Sequence, residues 1–386
     1  MTRQNYLFGW ILVIGKGAEQ ELTGMVTSGL EGFVGDFGTN KMVVAAKGIA
    51  LGLLRPQTTA LMRTWSFYQD AQSICFVEGD FYGDFHDYRP LCGEDPNLAK
   101  MLLQNYNDEK SEAIAALNGC FSGFLFDRQS SVLSTFVDRL GVRVLYWSFE
   151  KDSLVVSSNL ASFRRLRSLD LDPDAAFQFL TVGFPIGERT LLRNVSIQLP
   201  CTINVFRAGS KTSFHYWNVP KRSKRVVLEE AVQSLVHSME DFIDRVYDRT
   251  DGKTLGLGLT GGHDSRVVLS ALAYNRRSFE VMRFWARNFD DPVAQQLCSL
   301  MNVPVHTLHM TAWSASELKN IKNNVFVYSE GSIFDGWAFA GLGKQCAERE
   351  IEHLLVGFSR RPDQRTADGS GAGTFRQSCG SGEIRS

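Results

Sequence analysis

The residues best suited to chemistry run from Leu255 to Arg266 and read Leu-Gly-Leu-Gly-Leu-Thr-Gly-Gly-His-Asp-Ser-Arg. An apolar run, readable as a buried strand, ends at Leu259 and Thr260. A double glycine follows, and Asp264-Ser265 open a helical pattern. Gly261 and Gly262 permit tight backbone curvature and keep side chains out of a ligand's way. The free N–H groups of the turn and of the first helical turn then converge. A helix N-terminus with unpaired donors and a positive dipole end binds phosphate. Ser265 adds a hydroxyl donor, and Asp264 suits either a helix cap or a magnesium ion bridging phosphates. The expected ligand is a nucleoside triphosphate.

Two other readings of this stretch stay open. Gly256, Gly258 and Gly261 also spell G-x-G-x-x-G, the dinucleotide fingerprint. That signature puts its first glycine at the turn, whereas here Gly256 and Gly258 alternate with leucines inside the strand. It also wants an acid at the tip of the second strand, which here ends Met282-Arg283-Phe284. No Walker G-x-x-x-x-G-K occurs. The remaining alternative is a structural glycine turn without a ligand.

The elements that must position this loop emerge from the rest of the chain. At 386 residues, two domains are the natural expectation. Hydrophobic content of 44% and charged content of 22% describe an ordinary globular protein. A net charge of −1 gives no electrostatic argument for nucleic acid or an anionic membrane. The basic run Lys221 to Arg225 reads as a solvated linker. Seven scattered cysteines without C-x-x-C spacing fit free thiols in a reducing compartment. His306 and His309 have no cysteine or acid beside them in sequence, which argues against a metal pair. Leu7 to Gly15 and Met42 to Leu54 are too short to span a bilayer. A cytoplasmic protein is expected, with no membrane or nucleic-acid partner.

The first half reads as strands: Trp10 to Ile14, Met42 to Ala45, Ile74 to Val77, Phe121 to Phe126, Val132 to Val137, Arg143 to Trp147 and Leu154 to Ser157. One helical stretch, Asn97 to Asn105, sits among them. The second half changes period. Leu228 to Tyr247 puts Leu235, Met239, Phe242, Ile243 and Val246 on one helical face. Strand Thr254 to Leu259, helix Ser265 to Tyr274, strand Phe279 to Phe284, helix Pro292 to Met301 and strand Val303 to Leu308 follow. That alternation means a parallel sheet with the glycine turn at the carboxyl end of its first strand. The tail 360–386, rich in Gly, Ser, Arg and Thr, reads as disordered.

With these features the chain resembles the glutamine-dependent asparagine synthetase family, up to about Ser359. Thr260-Gly261-Gly262-His263-Asp264-Ser265 is similar to that family's S-G-G-x-D-S pyrophosphate loop. Leu117-Asn118-Gly119-Cys120-Phe121 and Asp138-Arg139-Leu140-Gly141-Val142-Arg143-Val144-Leu145-Tyr146 look like its L-N-G-x-F and D-R-L-G-x-x-x-L-Y segments. Leu171-Asp172-Pro173, Gly183-Phe184-Pro185, Arg189-Thr190-Leu191, Leu199-Pro200 and Tyr216-Trp217 resemble its interdomain segment. The resemblance implies an α/β chain: a β-rich, amidotransferase-like (Ntn-type) α+β domain over 1–208, a linker over 209–226, and a parallel-sheet synthetase domain over 227–359.

It further implies an ATP-dependent ligase that adenylates a carboxylate, so that an amine can displace AMP and leave an amide. Leu259, Thr260, Gly261, Gly262, Asp264 and Ser265 would surround ATP, Asp264 would hold Mg2+, and Met282 would contact adenine. The partners implied are a small-molecule or peptide carboxylate and an amine donor; a homodimer stays open. Relatives without the catalytic cysteine close β-lactams or macrocyclise peptides, and a nucleotide-binding chain without turnover is a further alternative.

The departures are specific. The family's glutaminase uses an N-terminal cysteine as nucleophile, yet Phe8-Gly9 stands where the family has Cys-Gly, and the first cysteine is Cys75. Glu78-Gly79-Asp80 resembles its Asn-Gly-Glu loop with the oxyanion-hole Asn replaced by Glu, so no glutaminase activity is expected. Leu354 to Ser359 looks like the strand before the family's second pyrophosphate segment, but Arg360-Arg361-Pro362-Asp363 does not continue the match. A truncated or frame-shifted synthetase half is therefore expected. Asp138 and Arg139 are expected as a buried ion pair holding the N-terminal sheet.

Overall fold

The computed structural model describes residues 9–33, 39–56, 64–81, 96–109, 111–150, 153–167, 170–219, 226–248, 254–285, 290–309, 346, 349, 351 and 353–356. Phe8, the basic run 221–225, Ser359 and the tail 360–386 lie outside the described residues.

Alternating apolar residues with two buried faces build two six-stranded antiparallel sheets in the N-terminal half. The first sheet contains β1 (Gly9–Gly15), β2 (Thr39–Ala46), β3 (Ile49–Pro56), β8 (Tyr146–Glu150), β9 (Ser153–Ser157) and β10 (Ser196–Ile197). Its order is β10-β8-β9-β1-β3-β2. The second contains β4 (Thr64–Gln69), β5 (Ser73–Phe81), β6 (Gly119–Asp127), β7 (Val132–Val137), β11 (Thr202–Arg207) and β12 (Ser210–His215). Here the order is β12-β11-β7-β6-β5-β4.

The period-2 alternation divides each strand between two cores. Along β1, Trp10 and Leu12 face Phe76, Phe124 and Val137 of the other sheet. Ile11 and Val13 face Leu22, Val26 and Leu30 of helix α1 (Glu19–Phe33). The far side of the second sheet packs Val77, Phe121 and Phe136 against Leu98 and Leu102 of α2 (Pro96–Glu109) and Ile114 of α3 (Glu112–Ala115). The result is a helix–sheet–sheet–helix layering, as β-rich as expected. Helix α1 was not foreseen, because Gly24 and Gly29 and its threonines weaken its helical signature.

Most strands lie where expected, but Arg143 to Trp147 does not. Strand β8 begins only at Tyr146, since residues 138–145 form a loop. The linker boundary also shifts. Ser210–His215 forms β12, pairing with β11 from Thr202↔His215 to Arg207↔Ser210. Tyr216 then donates from its hydroxyl to the Val137 carbonyl at 2.8 Å. Polar residues at 209–216 look like a linker because an edge strand exposes one whole face to water.

Helix α4 (Pro173–Val182) explains the Leu171-Asp172-Pro173 and Gly183 matches in local terms. Asp172 is the N-cap, accepting from the N–H groups of Asp174 and Ala175, with proline in the first turn. Gly183 closes the helix at φ 88. Arg189 donates to the Asp172 carboxylate at 2.9 Å. Burial pushes the Asp172 pKa up, but the Ala175 N–H and Arg189 outweigh it and hold the carboxyl below its usual value. The folded state therefore favours the charged form. Asp172→Ala should cost about 1 kcal/mol near neutral pH. In the parent this contribution should fade as pH falls from about 4 through the depressed folded value. Urea titrations of both proteins along a pH series check it.

The second half forms a four-stranded, all-parallel sheet, order β15-β14-β13-β16. Its strands are β13 (Leu255–Leu259), β14 (Phe279–Trp285), β15 (Val305–His309) and β16 (His353–Val356). Helices α5 (Leu228–Asp248), α6 (His263–Tyr274) and α7 (Asp290–Met301) cover one face through Ile243, Val246, Leu269, Leu272, Ala294 and Cys298. On α5 only the C-terminal part of the expected apolar stripe is buried; Leu235 remains 59% exposed. No helix among the described residues is long and apolar enough to cross a membrane.

Candidate functional site

The glycine-rich turn sits where the sequence places it, at the carboxyl end of β13 and the start of α6. Gly262 is the N-cap, in extended backbone, and no side chain caps the helix. The first-turn N–H groups therefore keep their donors for a ligand. Thr260, His263 and Asp264 are exposed there, whereas Leu259 is buried in the sheet core. Asp264 lies within the first turn and is not the cap.

Two expectations about side chains change. Ser265 is buried, and its hydroxyl donates to the Thr260 carbonyl at 3.0 Å and accepts from the Thr260 N–H at 3.2 Å. It clasps the loop closed, so the hydroxyl is spent within the turn. Gly261 and Gly262 take no positive φ. Size is what matters at 262, where a Cβ would press on the Thr260 hydroxyl at 3.2 Å.

Gly256 and Gly258 are packing residues of β13. A Cβ on Gly256 would lie 2.8 Å from Ile351 Cγ2, and one on Gly258 would lie 3.1 Å from Val356 Cγ1. Their spacing is thus explained by the approach of neighbouring side chains rather than by a dinucleotide.

Met282 pairs in register with Gly258 and is fully buried against Cys346, Ile351 and Leu354, so its side chain presents no surface to a base. Arg283, opposite Leu259, went unnoticed in sequence. It brings a buried guanidinium to the same sheet edge, donating to the Thr307 hydroxyl at 3.3 Å. His306 does have an acid beside it: Glu280 Oε2 lies 2.7 Å from its Nε2. The pairing of β14 with β15 creates that contact, and sequence separation hid it. Among the described residues no cluster suited to a metal ion occurs.

A second constellation lies at one end of the sandwich. Strands β5 and β6 pair Glu78 with Ser122 and Asp80 with Cys120. All four residues share the face that carries Phe76 and Phe124, and Trp10 near the start of β1 packs on both rings at 5.4 and 5.7 Å. Close strand approach depends on Gly79 at φ +152 and Gly119 at φ +147.

Asp138 is buried, and its carboxylate accepts from the N–H groups of Leu140, Val142 and Arg143 at 3.0, 3.1 and 2.8 Å. It makes no ion pair with Arg139, whose guanidinium donates to the Ala115 carbonyl and stacks on Trp217. The chain turns at 138–141, so the carboxylate folds back on its own loop instead of meeting its neighbour. Gly141, at φ 63, completes the turn beside Pro200.

The Asp138 loop delivers Arg143, which donates to Asp80 Oδ2 at 2.6 Å. Burial pushes the Arg143 pKa down, but Asp80 and then Glu78 more than offset it. Glu78 is 2% exposed; Ser122 donates to its Oε1 at 3.2 Å, and Oε2 is buried with no partner. The side chain that stands in place of the amide brings no N–H donor to an oxyanion. The Cys120 thiol is pushed up to about 11, mainly by burial and then by Asp138, so it is no thiolate near neutral pH.

Residues 98–217 match a glutamine amidotransferase domain. A putative asparagine synthetase [glutamine-hydrolyzing] 2 from Methanocaldococcus jannaschii is 22% identical over 184 residues, 45% of this chain and 34% of the relative. Asparagine synthetase [glutamine-hydrolyzing] 1 from Bacillus subtilis is 24% identical over 44% of this chain and 27% of its own length. The matches thus cover about a third of these relatives. A looser structural likeness, TM-score 0.38 at 11% identity, is to glutamine phosphoribosylpyrophosphate amidotransferase from B. subtilis, over 84% of this chain and 94% of that one. Residues 98–217 thus carry a glutamine amidotransferase domain, and just under half of the chain is similar to asparagine synthetases.

Proposed function

We propose that this chain is an asparagine-synthetase-like, ATP-dependent ligase whose amidotransferase half does not hydrolyse glutamine. The observation that carries the reading is the uncapped N-terminus of α6 at the carboxyl edge of a parallel sheet, where ligands of such sheets bind. The residues fit a triphosphate with Mg2+. First-turn N–H groups would hold phosphate oxygens, the exposed Asp264 carboxylate would hold the metal, and Thr260 would flank them. Bound there, ATP supplies the leaving group that a carboxylate lacks. The Gly261-Gly262 backbone would orient the phosphates, and the positive end of α6 would steady charge developing on departing pyrophosphate. The buried Glu78 carboxylate supports an amine other than one released from glutamine, as in β-lactam or macrolactam formation. Formation of AMP and pyrophosphate only with a particular carboxylate separates these substrates.

Calorimetry with magnesium and ATP should give a binding isotherm, and Asp264→Ala should weaken it roughly tenfold, about 1.4 kcal/mol. No heat from the parent protein would sink the ligase reading. Glutamate released from glutamine by pure protein would overturn the silent-glutaminase reading.

A further inference from the structure

We propose that Cys201 and His215 form a thiol–imidazole pair that takes up one half of a small, low-molecular-weight disulfide, making Cys201 a reversible modification site. The two side chains meet at the open end of the β11–β12 hairpin, where Cys201 Sγ lies 3.3 Å from His215 Nδ1. His215 is exposed and Cys201 half-buried, so the pair stands at the surface.

The local backbone brings them together. Thr202 and His215 are direct cross-strand partners and share a face of the sheet. Regular pleating would turn the side chain of the preceding residue, Cys201, toward the opposite face. Cys201 instead has φ 50, in the left-handed region that favours glycine, and its sulfur meets the ring. Both of its backbone groups are fixed. The N–H donates to the Asp138 carbonyl at 3.0 Å, and the carbonyl accepts from the Tyr216 N–H at 3.1 Å. A cysteine held where glycine would cost less, with a proton acceptor against its sulfur, points to use of the side chain.

Thiol–disulfide exchange needs a thiolate. Burial, and then the Asp138 carboxylate, raise the Cys201 pKa, which keeps the proton on sulfur in the resting protein. The adjacent imidazole supplies the missing base. The thiol proton passes to His215 Nδ1 as Sγ attacks one sulfur of the incoming disulfide. A new S–S bond joins Cys201 to that half, the original S–S bond breaks, and the departing thiolate recovers the proton from the imidazolium. One thiol and one disulfide become a mixed disulfide and a free thiol, with the incoming disulfide as the oxidant. Other described cysteines are poorer candidates. Cys75, Cys298 and Cys346 are buried, and the Cys120 thiol is pushed up to about 11. The pair rests neither on the nucleotide loop nor on glutamine chemistry.

The test exposes the folded whole chain to excess 2-hydroxyethyl disulfide near neutral pH and follows each cysteine by peptide mass spectrometry, which reads Cys92 and Cys379 separately. Cys201 should gain the adduct roughly tenfold or more faster than Cys75, and dithiothreitol should remove it. His215→Gln keeps a polar side chain but no base, and should slow labelling of Cys201 by a similar factor. Labelling of Cys201 no faster than that of Cys75, or an unchanged rate in a folded His215→Gln variant, would overturn the proposal. Should that variant fail to fold, the competition between cysteines in the parent protein decides alone.

Discussion

Adding a methyl group at Gly119 should leave little folded amidotransferase-like sandwich. The φ there is +147, a region that L side chains rarely adopt, and a Cβ would lie 2.1 Å from the Asp80 carbonyl oxygen. Across the strand pair, Gly79 repeats the situation at φ +152, with a Cβ 2.2 Å from the Cys120 carbonyl oxygen. Both obstacles are backbone atoms of a paired strand, so neither can rotate away. Backbone strain of about 1–3 kcal/mol adds to an overpacking cost of similar size. Gly119→Ala and Gly79→Ala should therefore each lose roughly 3 kcal/mol or more, a large share of an ordinary domain's stability. Gly24 on α1 is the control, since a Cβ there meets nothing within 4 Å. Gly24→Ala should be neutral or mildly stabilising. Denaturant midpoints of the three variants decide it; equal midpoints would mean that β5 and β6 do not approach so closely.

Asp138→Ala should be nearly as damaging. Removing the carboxylate strips the acceptor from three N–H groups in a buried turn, each of which makes a charge-assisted hydrogen bond. A loss of about 3 kcal/mol is expected, with Asp138→Asn intermediate because one acceptor oxygen remains. The variant should also release Arg143 from Asp80, since the N–H of Arg143 is one of the three anchors. The pH dependence runs opposite to that of the Asp172 cap. Burial raises the Asp138 pKa despite the three backbone donors. A carboxyl whose folded pKa lies above its unfolded value takes stability away as pH climbs from about 4 through the folded pKa. Asp138→Asn should flatten that component, and unfolding free energies across the acid range measure it.

Much of the fold was legible because the two halves have different periods. Short β-branched runs announced β1, β5, β6, β7 and β9, and the alternation of strand and helix after Leu255 announced the parallel sheet. Helix α1 escaped because its glycines and threonines dilute the pattern, although Leu22, Val26 and Leu30 do fall on one buried face. Strand β12 escaped because its exposed polar residues look like any linker.

At the candidate nucleotide loop, sequence located the turn but misjudged the work done inside it. Ser265 faces inward, Met282 is buried, and Gly256 and Gly258 answer to β16, which lies almost a hundred residues away in the chain. The Asp138 loop shows the same limit. Adjacency to Arg139 implied a pair, whereas the carboxylate chose three amides that only the folded turn brings within reach.

The protonated state of Cys120 has a pharmacological corollary. An electrophile that depends on a thiolate would find an unreactive sulfhydryl here. Buried Cys75 is shielded still more completely. A molecule meant to occupy this end of the sandwich would have to hold on by charge and shape alone.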